Sequence, residues 1–119
     1  MNKSSNSGFL YDDNYLCVSS YGSNSIKIWD LANKNLIKNI EISDYKGRGI
    51  IQWNDIYTIV GCEKGFSIIN LKEGKFVKKI FTKESNDVYE LKKIKLSQLG
   101  DCLICREEKA LGLYCLTIS

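Results

Sequence analysis

The sequence predicts an all-β chain of short antiparallel strands. Three observations lead there. Apolar and polar residues alternate with period two over runs of roughly four to eight residues. Turn-forming residues separate those runs at short intervals. The same series of runs then returns after 40 positions without gaps.

The elements follow in order. Residues 1–8 are rich in Ser and Asn and read as a frayed, disordered N-terminus. Residues 9–11 form a short opening strand before Asp12-Asp13-Asn14. Strands are expected over 15–20 and 25–31, joined by the hairpin turn Tyr21-Gly22-Ser23-Asn24. In the second of these, Ile26 and Ile28 share one face and Lys27 takes the other. A further strand at 35–42 follows Ala32-Asn33-Lys34. Four more are expected at 48–53, 56–61, 66–71 and 75–81, with turns at Asn54-Asp55, Glu63-Lys64-Gly65 and Lys72-Glu73-Gly74. The last round is 89–96, 102–106 and 111–117, with Gly100-Asp101 at its first turn. Residues 89–99 are the one stretch with helical potential; their apolar spacing fits either period, and a strand is expected.

The repeat organises these strands. Ser25-Ile26-Lys27-Ile28-Trp29-Asp30-Leu31 aligns with Gly65-Phe66-Ser67-Ile68-Ile69-Asn70-Leu71, and Leu36-Ile37-Lys38-Asn39-Ile40 with Phe76-Val77-Lys78-Lys79-Ile80, both at a shift of 40. Leu111-Gly112-Leu113-Tyr114-Cys115-Leu116 follows the second copy at a shift of 45. A four-stranded unit with a period near forty is the pattern of propeller blades. One such sheet cannot cover its own faces, so neighbours must stack. The expected fold is a partial β-propeller of four-stranded antiparallel blades at about 9–42, 48–82 and 89–119.

With Leu16-Cys17-Val18-Ser19-Ser20 and Ile26-Lys27-Ile28-Trp29-Asp30, the chain resembles the WD-repeat β-propeller family, whose third blade strand commonly ends in Trp-Asp. The resemblance covers residues 9–119 and looks like the C-terminal part of a propeller, two and a half to three blades. It implies structural roles for Ser19, Trp29 and Asp30. The second unit has Ile69-Asn70 in place of Trp-Asp. The blade hydrogen-bond set is partial, with Ser23 at the usual turn Asp and no histidine in the chain. Propellers close with about four to eight blades, so the chain is expected to be incomplete alone, a fragment or one member of an assembly.

Composition narrows the function. Among 119 residues, 44% are hydrophobic and 26% charged, as in ordinary folded domains. A net charge of +3 is too mild to imply a nucleic-acid or membrane partner. Ile, Lys and Asn supply 40 residues and Ala two, a coding skew that strips lysine counts of functional weight. With no histidine, Ser–His and Cys–His nucleophilic pairs are excluded. No apolar run approaches the ~20 residues of a membrane-crossing helix. Five cysteines without a secretory leader suggest free thiols in an intracellular compartment, cytoplasmic or nuclear.

The candidate sites are few. Trp29 and Trp53 each end an apolar strand and are expected in blade cores rather than on a binding surface. Cys102-Leu103-Ile104-Cys105 has CxxC spacing, but residues i and i+3 of a strand face opposite ways, so neither a metal nor a redox pair is expected there. Eight lysines and four acids between Lys72 and Lys95 read as solvated strand faces, Lys93 and Lys95 opposing Ile94 and Leu96. Asp12-Asp13 and Glu107-Glu108 are adjacent acids that diverge or solvate. No catalytic constellation and no cofactor site emerges.

The resemblance implies a protein-binding face made by loops 21–24, 43–47, 62–64, 82–88 and 106–109. Tyr21, Tyr45, Arg48, Lys64 and Arg106 are its candidate anchors, because Tyr and Arg favour interfaces. The expected function is a non-catalytic interaction or scaffold module with protein partners and self-association through open blade edges. The alternatives are a regulatory tail of a larger enzyme, such as a protein kinase, or a weak basic nucleic-acid binder.

Overall fold

The computed structural model describes residues 6–20, 24–45, 49–83, 86–107 and 110–115. Eleven strands appear among them, and no helix. β1 (Asn6–Tyr11), β2 (Tyr15–Ser20), β3 (Ser25–Asp30) and β4 (Asn35–Glu41) form the first sheet. β5 (Ile50–Gln52), β6 (Tyr57–Cys62), β7 (Gly65–Asn70) and β8 (Lys75–Phe81) form the second. β9 (Val88–Leu96), β10 (Gly100–Glu107) and β11 (Leu111–Cys115) form the third. Every sheet is an antiparallel meander in chain order, and none closes on itself.

β1 begins inside the segment expected to fray. Its Ser/Asn-rich start pairs fully with β2, from Asn6↔Ser20 to Tyr11↔Tyr15, so backbone hydrogen bonding overrides a composition with little β preference. Residues 89–96 are a strand, paired with β10.

The sheets stack through two cores. Tyr11, Cys17, Ile26, Ile28 and Ile40 of the first sheet pack with Val60, Cys62, Ile69 and Leu71 of the second. Ile59, Phe66 and Ile68, on the other face of the second sheet, pack with Val88, Leu103 and Cys105 of the third. The second sheet is therefore covered on both faces, and Gly65 to Ile69 of β7 are all buried. Period two explains this: successive residues of one apolar strand feed opposite cores. Each fully buried Ile contributes on the order of 1.5–3 kcal/mol.

The stacking has one direction. Ile26 and Ile28 of the first sheet face the second, and their counterparts at the shift of 40, Phe66 and Ile68, face the third. We call this the front of each sheet and the opposite face its back. A β-bulge recurs at the same place in both repeats, between Ile28 and Trp29 and between Ile68 and Ile69. Glycines let the second and third sheets approach. The Gly49 N–H donates to the Tyr89 carbonyl at 3.0 Å, the Gly61 N–H donates to the Gly49 carbonyl at 2.8 Å, and a Cβ on Gly61 would lie 2.6 Å from the Val88 carbonyl oxygen.

Candidate functional site

The chain order of the meanders places the connections β2–β3, β4–β5, β6–β7, β8–β9 and β10–β11 at one end of the stack. A chain of hydrogen bonds crosses all three sheets there. The Ile42 N–H donates to Asn24 O at 2.6 Å, and the Glu63 N–H to Asp44 O at 3.0 Å. The Lys64 N–H donates to Asp87 Oδ1 at 2.9 Å, while Lys64 O accepts from the Thr82 N–H at 3.0 Å. Thr82 Oγ1 accepts from the Asn86 N–H at 2.6 Å. Asn86 Nδ2 then donates to Glu107 Oε1 at 3.3 Å, and the Tyr114 hydroxyl donates to Glu107 Oε2 at 2.8 Å. Burial and the Glu107 carboxylate together hold the Tyr114 phenol protonated, well above the usual tyrosine range.

Glu107 corrects an expectation. It is buried, not solvated, because β10 extends through it and its carboxylate ties the β8–β9 connection to β11. Gly112 makes room, since a Cβ there would collide with Glu107 Oε2.

The candidate anchors divide. Tyr21 and Arg48 lie outside the described residues. Lys64 is exposed at the β6–β7 turn, with φ at +66° and its backbone fixed on both sides. Arg106 belongs to β10, not to a loop. It is exposed on the front of the third sheet, where Nε donates to Glu90 Oε1 and the guanidinium lies 5.5 Å from the Tyr89 ring centre. Tyr45 is the clear correction. It is fully buried in the core between the first two sheets, because the β4–β5 connection folds inward through the Tyr45 N–H to Ile42 O bond. Burial raises its phenol pKa, opposed by the neighbouring Ser19 hydroxyl.

The residues assigned structural roles also separate. Ser19 is buried on the front of the first sheet, whereas Trp29 sits on its back at 37% exposure. They therefore do not share a hydrogen-bonded set. Trp29 fills no core among the described residues, since no sheet packs behind it; Leu16 and Leu36 flank it in register. Asp30 caps the β3–β4 turn, accepting from the Ala32 and Asn33 N–H groups at 3.0 and 3.2 Å and from Asn33 Nδ2 at 2.9 Å. The Asn33 side chain, foremost, holds its carboxyl below the usual range. Trp53 is buried in the second core.

Lys93 lies over the Trp53 ring, 4.8 Å from its centre, donates to the Trp53 carbonyl, and pairs with Asp101 at 3.7 Å. Lys93 is exposed, as expected of a solvated strand face, with its stem laid on an aromatic surface of the second sheet. Cys102 and Cys105 face opposite ways. Cys105 joins the second core, and Cys102 Sγ lies 3.3 Å from Cys115 Sγ across the β10–β11 hairpin. The opposed faces of Cys102 and Cys105 are those that strand geometry requires, and only the strand register brings Cys102 and Cys115 together.

At the other end, a cleft of about 330 Å³ opens between the first and second sheets beside Tyr11, Tyr15, Ile37 and Leu71. Lys38 bridges it, donating to Lys72 O at 2.8 Å. Among the described residues, no three His, Cys, Asp or Glu side chains gather to hold a metal ion, and no helix is long and apolar enough to cross a membrane.

No family model and no curated protein matches the sequence. Among solved structures, the chain is similar to the crystal structure of the computationally designed Ika4 protein, with a TM-score of 0.62 and 10% sequence identity. The match covers 91% of this chain and 64% of that one, so this chain spans less than two thirds of its neighbour's length. At such low identity the likeness shows the fold alone.

Proposed function

We propose that the chain is a non-catalytic protein-interaction module built from WD-type propeller blades. The observation that carries this reading is the repeated stacking: two successive seams join the front of one meander to the back of the next, with the bulge recurring at the same position. Sheets packed this way present their connections together at one end. Here those connections are braced from Asn24 to Tyr114, which lowers the ordering cost of binding. The rim displays exposed Lys64, Lys83 and Asp44, and Asp44 pairs with Lys79 at 3.6 Å. A surface of mixed charge, braced at its described residues, suits a folded protein partner.

The test compares proteins retained by three forms of the chain in extracts of its native cell. The wild type and an opposite-end variant, Lys34→Glu with Lys72→Glu, are expected to retain a shared partner. A rim variant, Lys64→Glu with Lys83→Glu, is expected to lose it. Equal retention by all three forms, or no partner for any, overturns the reading.

A further inference from the structure

Among the described residues, two faces of the stack are uncovered: the back of the first sheet and the front of the third. The repeat identifies what each is built for. On the back of the second sheet, Ile69 and Leu71 are 0% and 2% exposed; their counterparts in the first sheet, Trp29 and Leu31, are 37% and 41% exposed. On the front of the second sheet, Phe66 and Ile68 are both 0% exposed; their counterparts in the third, Leu111 and Leu113, are 73% and 53% exposed.

The back of the first sheet also carries a continuous apolar row, Leu10↔Leu16↔Trp29↔Leu36, one residue from each strand. Such a row across a whole sheet is unusual on a face left to water. The two uncovered faces are therefore the two halves of the seam that this chain already makes twice. Each face also carries both signs of charge, Lys27 and Glu41 on one, Glu90 and Arg106 on the other.

We infer that the front of the third sheet docks on the back of the first sheet of a second copy, and that two copies close head to tail through two equivalent seams. The contact continues the internal stacking and is heterologous, with a different patch on each side. This goes beyond partner binding at the rim and does not depend on it.

Light scattering of the purified full chain tests the assignment. Twice the 13.6 kDa of one chain is expected. Leu113→Asp, on one face, and Trp29→Asp, on the other, are each expected to give single chains. Mixed together, they are expected to recover pairs, since one of the two seams then joins two unaltered faces. Circular dichroism and a cooperative melt confirm that each variant folds; Leu111→Asp and Leu31→Asp serve as second choices on the same faces. A wild type that stays a single chain, or a polymer that grows with concentration, overturns the closed pair. A Leu113→Asp or Trp29→Asp variant that still pairs by itself, or a mixture that stays single, overturns the head-to-tail contact.

Discussion

Lys34 and Gly74 occupy the same place in successive repeats and both adopt left-handed φ, +56° and +67°. Only glycine holds that conformation without a Cβ penalty. Lys34→Gly is therefore expected to raise stability by up to about 1 kcal/mol in urea unfolding, with part of the gain offset by the freer unfolded chain. No change, or a loss, would contradict the shared turn geometry. The thiols give a pH test. Burial pushes Cys17 and Cys105 up to about 12. A thiol held neutral by burial stabilises the fold fully below the unfolded thiol's pKa of about 8.5, and that contribution drains away as pH rises toward 12. Stability is expected to fall across that window, and to fall less steeply in Cys105→Ala. Equal slopes would contradict the burial. At this scale the sequence was legible where one strand suffices: Trp53 in a core, and Cys102 and Cys105 on opposite faces. It misled where a connection folds inward, as at Tyr45, and was silent where two strands must be in register, as for Cys102 and Cys115.

The strands themselves were readable because alternation and turn residues agree, and because Ser25–Leu31 and Gly65–Leu71 align without a gap. β1 was not: its polar start carries no apolar pattern, and β2 supplies the partner that makes it a strand. The side on which Trp29 falls needed the stacking direction as well as the alternation. The approach of the second and third sheets rests on Gly61, whose added Cβ would press on the Val88 carbonyl. Gly61→Ala is expected to cost about 1–3 kcal/mol, as overpacking does. Urea unfolding measures it, and a neutral effect would contradict so close a seam.

For the whole molecule, the echoes at 40 and 45 residues pointed to repeated antiparallel sheets, and the described residues form three, of four, four and three strands, where four-stranded blades were expected. They could not foretell which faces stay open, because that depends on what neighbours each unit. The second sheet is the hinge of the entire arrangement, since adjacent residues of β7 enter different cores. Methyl nuclear Overhauser contacts read this directly. Ile68 is expected to contact Val88 and Leu103 of the third sheet, and Ile69 to contact residues of the first sheet around Ile28 and Tyr45. Contacts from both methyl groups to one and the same sheet would contradict the front-to-back stack.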